Sequence, residues 1–286
     1  MKDILKSFYN WVVTLLKTLV SLLSVLFFSR RWAARSIAQM RREQKKSRVV
    51  ILGNGASMKD MLENHLDELR EEDTLVVNSF CRSPYFLKLK PTYYVLLDPL
   101  FFNGAHFERI DRQREELLSI LPEVDWQMTM FVPSLFRNSD FTRQLQSMPS
   151  IEVCFFNMTP VDGFASVNNF LFKRDLGMPT AQNVTCAAIF LMTNLHYDEV
   201  FLIGAEHNWL ESFYINEQNQ LVMGDKHFYG KENIVADKTL STWLNQLMLV
   251  FRCHERLAEY ARYCGVKIYN ATQGSHIDAY ERKSLY

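Results

Sequence analysis

Val49–Asp60, VVILGNGASMKD, is an apolar run that ends in a glycine turn and continues into a helix-favouring stretch. Apolar residues without alternation are what a strand buried on both faces requires. A glycine turn between a strand and a helix is the layout of a phosphate or nucleotide site. The turn is too short for the P-loop pattern and lacks the third glycine of the dinucleotide fingerprint. Its ligand has to be read from the rest of the chain.

Beyond the turn, strand-like and helical runs alternate. SMKDMLENHLDELRE has helical spacing, with Met58, Met61, Leu62, Leu66 and Leu69 on one side. DTLVVNSF and PTYYVLLD read as strands, followed by a charged helix from about Ala105 to Leu121. WQMTMFVP and IEVCFFN continue the strand series, and NVTCAAIFLMTNL reads as a buried helix. EVFLIGAEH and VKIYNAT close it, with the helix LSTWLNQLMLVFRCHERLAEYARYC between them. This order predicts an α/β fold: a Rossmann-like, mostly parallel sheet with helices on both faces.

Polar residues collect where these strands end: Asn54, Asn78, Asp98, Glu206 with His207, and Asn270. A single Asn or Asp there is an ordinary turn former. Five at one edge argue for a site, because the carboxyl ends of strands form the ligand crevice of open α/β sheets. The weakly periodic segment from Trp209 to Asn233 follows one of these ends and is a candidate lid, taken as about 207–235.

At 286 residues, 48% hydrophobic and 22% charged, the chain is of ordinary globular composition. Its formal net charge is zero, so no global field points to nucleic acid. Cys81, Cys154, Cys186, Cys253 and Cys264 form no CxxC pair, which suits packing thiols in a reducing compartment and argues against zinc. The sequons at Asn157, Asn183 and Asn270 are read as chance.

The first 47 residues read as a separate unit, with 48–286 as the catalytic domain. In the apolar stretch ILKSFYNWVVTLLKTLVSLLSVLFF, the residues Lys6, Asn10, Thr14, Lys17, Ser21 and Ser24 make one narrow polar stripe on a helix. Such a helix can lie in a membrane interface with the stripe toward water. It is also long enough to span, but Lys17 would cost about 2.5–3.5 kcal/mol at mid-membrane. Phe27-Phe28-Ser29-Arg30 offers no signal-peptide cleavage site. A basic run with Glu43 as its only acid follows and favours anionic headgroups. The expectation is attachment to a membrane surface through residues 4–48, from the cytoplasmic face.

Several motifs from Arg48 onward resemble, in order, the bacterial sialyltransferases of glycosyltransferase family 42. GNGASMKD is similar to that family's opening GNGPSLKE, VVNSF to its strand ending in a cytidine-contacting Asn, and LLDPLFF to YNPSLFF. YDEVFLIGAEHN resembles the strand that leads to its Gly-Ile-Asp, and KHFYGK its HYIGH segment. The resemblance implies inverting transfer of sialic acid, Kdo or a related nonulosonic acid from a CMP donor, without metal or further cofactor. The acceptor would be a glycan or glycolipid of bacterial surface polysaccharide, such as lipopolysaccharide or capsule.

It also implies a site. Asn54, Gly55, Ala56, Ser57, Asn78, Asp98, Glu206, Asn208 and Asn270 would bind the nucleotide, the turn amides of Gly55 to Ser57 taking its anionic oxygens. Tyr214 would donate to the leaving phosphate and His227 would deprotonate the acceptor. His207 and Lys231 complete the catalytic candidates. Two positions depart from the family: Asn208 stands where it has the first of two tyrosines, and Lys231 where it has the catalytic histidine. A lysine near pKa 10.4 is a poor base at neutral pH unless burial depresses it. GNGAS and IYNAT are also similar to the MptE-like group, which includes pterin pyrophosphokinases using ATP and magnesium. Asp98 with Glu206 would then hold the metal. A non-catalytic, membrane-recruited scaffold, or a homo-oligomer, is also compatible with the chain.

Overall fold

The computed structural model describes residues 1–102, 108–227, 230–236 and 238–286, with side chains described outside 103–109, 225–234 and 237. Two helices open the chain, α1 (Lys2–Phe28) and α2 (Arg31–Glu43). The body then runs β1 (Arg48–Leu52), α3 (Met58–Asn64), α4 (Leu66–Glu71), β2 (Asp73–Val77), α5 (Phe86–Leu89), β3 (Tyr93–Val95), α6 (Glu108–Ile120) and β4 (Met128–Pro133). It continues α7 (Asp140–Gln146), β5 (Ile151–Phe156), α8 (Ala165–Lys173), α9 (Val184–Asn194) and β6 (Glu199–Ile203). After the lid strands β7 (Phe213–Ile215), β8 (Leu221–His227) and β9 (Gly230–Val235) come α10 (Leu240–Cys264), β10 (Lys267–Asn270) and β11 (Glu281–Arg282).

Eight strands form one sheet in the order β11-β10-β6-β1-β2-β3-β4-β5. Each of its pairings is parallel. Side chains alternate between two buried layers: Val49, Ile51, Leu75 and Val77 pack on one face, Val50, Leu52 and Val76 on the other. This is why β1 reads as unbroken apolar sequence. All eleven residues of α9 are buried against the first layer, where α10 joins it. The α/β architecture expected from the sequence is the one observed.

Three details differ from the sequence reading. The helix expected from Ser57 onward breaks at His65 (φ −131°), whose ring stacks on that of the C-terminal Tyr286. The lid contains a three-stranded antiparallel sheet, β7-β8-β9, that its mixed polarity did not announce. The basic segment after α1 is not a loose membrane-facing tail. Ala33 and Ile37 of α2 are fully buried, and Arg41 pairs with Asp175 at 2.6 Å.

The helix α1 is apolar enough to cross a membrane, with a mean hydropathy of 2.1. The middle of its polar stripe is turned onto the body, while Lys6 and Asn10 stay exposed. Lys17 Nζ lies 2.8 Å from Asp162 Oδ2, Ser21 Oγ donates to the Asp162 carbonyl at 2.8 Å, and Phe164 N donates to Thr18 Oγ1 at 2.9 Å. The middle of the stripe is bonded to the loop after β5, and most of the wide apolar face is left outward.

Candidate functional site

Strand order reverses between β1 and β6: the chain runs from β1 to β2, β3, β4 and β5 on one side, and from β6 to β10 and β11 on the other. At such a switch point two neighbouring turns diverge and leave a crevice above the strand ends. Here the turns interlock. Gly53 N donates to Ile203 O and Gly55 N to Gly204 O, both at 2.8 Å. A Cβ on Gly53 would stand 2.2 Å from Gly204 O, so backbone crowding requires the first glycine.

The cleft above them has a volume of about 170 Å³. Asn54, Gly55, Asn78, Glu206, His207 and Asn208 line it, so six of the nominated residues meet in one place. Asn54 Nδ2 is tied to Val77 O at 3.1 Å. Asn78 adopts φ +48°, with its carbonyl accepting from the Tyr94 hydroxyl. Its side-chain Oδ1 is buried, with no hydrogen-bond partner among the described residues. An amide so placed, at the wall of a cleft, is suited to a ligand donor.

The glycine turn itself is already occupied. The Glu206 carboxylate caps it, Oε1 accepting from Ser57 N at 2.7 Å. A Cβ on Gly55 would fall 1.4 Å from Glu206 Oε2. The expectation that the Gly55–Ser57 amides receive a ligand's anionic oxygens is therefore corrected: the Gly55 and Ser57 amides are bonded to Gly204 and Glu206. Ala56 and Ser57 are not among the cleft-lining residues.

A different backbone terminus opens into the cleft. Asn183, Val184 and Thr185, the start of α9, form part of its wall. Asn183 Oδ1 caps the helix by accepting from Thr185 N at 2.6 Å. The sequence reading took Asn183 only as a helix start. Its signal was available, because a crossover helix that follows a strand starts near the strands' carboxyl edge.

His207 is not a lid-surface histidine. It is 6% exposed, at φ +52°, with its ring 4.4 Å from that of Trp209 and 5.1 Å from that of His254. Burial, reinforced by His254, pushes its pKa well below the ordinary range, so the imidazole is neutral at pH 7. Its Nε2 has no partner among the described residues. Behind it His254 bonds the Tyr280 hydroxyl through Nδ1 at 3.0 Å, and burial lowers its pKa to about 4.

The other nominated residues separate. Asn270 is 1% exposed and does not line the cleft: its amide donates to Ser275 Oγ and Ile277 O, both at 3.1 Å, bracing the C-terminal loop. Asp98 accepts from Leu100 N at 2.9 Å and lines an adjoining hollow. Tyr214 is half exposed on β7 and lines neither cavity. His227 is the last residue of β8, paired with Gly230, and Lys231 pairs with Lys226; their side chains lie outside the described residues. Gly224 on β8 does line the cleft, which puts the His227 backbone about 10 Å further along the strand.

The adjoining hollow, of about 710 Å³, shares Asn183, Trp209 and Gly224 with the cleft. It is mostly apolar, with Trp209, Phe213 and Trp243 on its walls and Lys238 at its edge. A polar, amide-rich cleft thus opens directly into an aromatic one beneath the lid sheet.

No family model matches the chain. No curated protein matches it either. Among solved structures it is similar to the MAf glycosyltransferase from Magnetospirillum magneticum AMB-1, at 16% identity and a TM-score of 0.48. The match covers 84% of this chain and 34% of that one, so the chain spans about a third of its neighbour's length.

Proposed function

We propose that the protein is a glycosyltransferase that takes an acidic sugar, sialic acid, Kdo or a related nonulosonic acid, from a CMP donor. The observation that carries this reading is the amide- and carboxylate-lined cleft at the switch point between β1 and β6. Among the described residues its lining carries no Lys or Arg, and its own carboxylate, Glu206, fills the glycine turn. Such a wall suits the uncharged part of a nucleotide. Glu206 can accept from ribose hydroxyls, and Asn78 Oδ1 can accept from the cytosine amino group. The single phosphate belongs at the start of α9, where amides and the helix dipole favour negative charge.

Breaking the bond between the anomeric carbon and the phosphate oxygen builds positive charge on the sugar and negative charge on the leaving group. The α9 terminus relieves the second, a preorganised electrostatic term. Neutral His207, at the cleft wall, can donate or accept a hydrogen bond without adding charge. The acceptor hydroxyl needs a base, and His227 at the hairpin tip is the candidate once the lid closes; Lys231 and Tyr214 act through the same closure. The aromatic hollow is the acceptor side, since sugars present apolar C–H faces to Trp and Phe. The reaction as written requires no metal. The acceptor is a glycan or glycolipid of a bacterial surface polysaccharide, reached from the cytoplasmic face of the inner membrane.

A pyrophosphokinase reading needs Asp98 and Glu206 to converge on magnesium. They line separate hollows, and Asp98 is engaged by Leu100 N. Calorimetric titration separates the readings. CMP should bind, and Asn78→Ala should weaken it about tenfold, the worth of one hydrogen bond in a desolvated site. Binding of ATP with magnesium, with none of CMP, would replace the first reading by the second.

A further inference from the structure

Apart from Val25, which packs against the core, and Trp11, which meets Phe164, most of the apolar face of α1 is uncovered among the described residues, and only 11% of its most apolar window is buried. Phe8, Leu16, Leu19, Leu23, Leu26 and Phe27 are each between 47% and 70% exposed. A patch that runs the length of a 27-residue helix, about 40 Å, is far beyond what a free soluble surface carries. A helix that passes from one side of a bilayer to the other would leave the globular body. This one is fastened to it along the middle of its length.

The fastening is built from both sides. Besides the Lys17–Asp162 pair, Asp162 N donates back to Ser21 Oγ at 2.9 Å, and Arg256 of α10 reaches the second Asp162 oxygen at 3.0 Å. Gly163, at φ +129°, lets the loop approach: a Cβ there would lie 2.1 Å from Thr18 Oγ1 and 2.8 Å from Thr18 Cα. Ser29 Oγ donates to Thr159 Oγ1 at 2.9 Å, closing the end of the helix onto the same loop. A spanning α1 would break all of these and leave Lys17 unpaired in hydrocarbon.

We infer that α1 is an in-plane, monotopic anchor: it lies flat in one leaflet of an anionic phospholipid bilayer, the middle of its polar stripe bonded to the protein where a free amphipathic helix would have water. Charge names the bilayer as the occupant. Lys2 and Lys6 are exposed at one end of the helix beside Asp3, Arg30 and Arg31 follow its other end, and Arg35 and Arg42 are exposed on α2. Cations at both ends of an apolar face fit a headgroup layer on one side. The docking loop follows β5 at the carboxyl edge of the sheet, the edge that holds the cleft. The anchor therefore sets that edge close to the bilayer. The inference stands on α1 alone and does not rest on the transferase reading.

Reconstitution of the full chain on vesicles of phosphatidylcholine with 30% phosphatidylglycerol tests it. A Lys2→Cys variant, labelled with a membrane-impermeant maleimide added outside, should react to the same extent before and after detergent. Protection of Cys at that position by tenfold or more until detergent is added would mean a spanning helix and overturn the proposal. In a second arm, Leu19→Glu with Leu23→Glu changes only exposed side chains, so the body stays folded by circular dichroism. Its sedimentation with the vesicles should fall at least tenfold. Unchanged sedimentation of that variant overturns the proposal. So does a wild-type chain that ignores vesicles and forms a dimer the variant cannot form, because a second copy would then be the occupant.

Discussion

The Glu206 carboxylate fills the space that a Cβ on Gly55 would take, and under the proposed reading this turns a nucleotide's phosphate away from the glycine turn. With the carboxylate on Ser57 N, the turn is already neutralised and repels further anions. Glu206→Gln keeps the shape and removes the charge. If the carboxylate serves the ribose, the variant should weaken cytidine and CMP alike, by about five- to tenfold, the difference between a charged and a neutral acceptor. A rise in the CMP-to-cytidine affinity ratio would instead put the phosphate at the glycine turn. Gly53 is a separate matter of steric packing. Gly53→Ala should destabilise the fold by about 1–3 kcal/mol or more in urea unfolding, because the new methyl presses on the Gly204 carbonyl, which cannot turn aside. At this scale part of the cleft's lining was legible in the sequence. Asn54, Asn78 and Glu206 were legible because parallel strands end on one edge. Asn270 and Asp98 end on that edge too, but their polar atoms are consumed by nearby backbone, which no spacing rule announces.

Among the elements, α1 and α2 look alike in sequence as one membrane-directed unit, yet they are held by opposite means. The helix α1 touches the body chiefly through polar bonds on a surface loop, with Val25 and Trp11 its apolar contacts. The helix α2 is part of the core: it lies against β5, Ile37 is fully buried in the first hydrophobic layer, and Arg41 joins Asp175 beside Asn194. Removing residues 2–28 should therefore leave a folded chain that no longer partitions to membranes. Extending the deletion to residue 47 should leave an insoluble or unfolded product, since it strips buried contacts and leaves Asp175 without its cation. Expression of the two truncations side by side, followed by thermal melting, checks this; equal stability would detach α2 from the core. Even Ile37→Ala alone should cost about 2–5 kcal/mol. The sequence hid the division because Arg-rich helices with a narrow apolar stripe suit a protein surface and a headgroup layer equally well. Burial distinguishes them, and burial depends on β5, more than a hundred residues away.

For the molecule as a whole, the cleft is coupled to the core through a chain of buried polar contacts. His207 at the wall meets His254 of α10 edge to face, and His254 reaches Cys186 of α9 through Nε2 at 3.6 Å and Tyr280 of the C-terminal segment through Nδ1. The turn after β6, both helices of that face and the chain's end therefore meet at one imidazole. Its pKa is lowered by burial from 6.5 to about 4. A histidine held neutral in the fold takes up its proton more readily when unfolded. Its presence costs nothing above about pH 6.5, and stability falls as pH drops from there to about 4, by roughly 1.4 kcal/mol per pH unit and about 3 kcal/mol in all. Asp175, whose carboxyl is pushed up to about 6 by burial, titrates in the same window with the opposite sign, so the total curve hides the effect. Comparison with His254→Gln removes the Asp175 contribution, because both proteins share it, and reads His254 together with its coupling to His207. Whatever the substitution costs at pH 7, the stability advantage of the wild type should shrink by about 3 kcal/mol between pH 6.5 and 4 in urea titrations. Affinity for CMP should fall in the wild type over the same interval and stay flatter in the variant, since a protonated His254 pushes on His207 and the cleft wall. Parallel stability curves for the two proteins would show that the imidazole takes its proton without disturbing the fold.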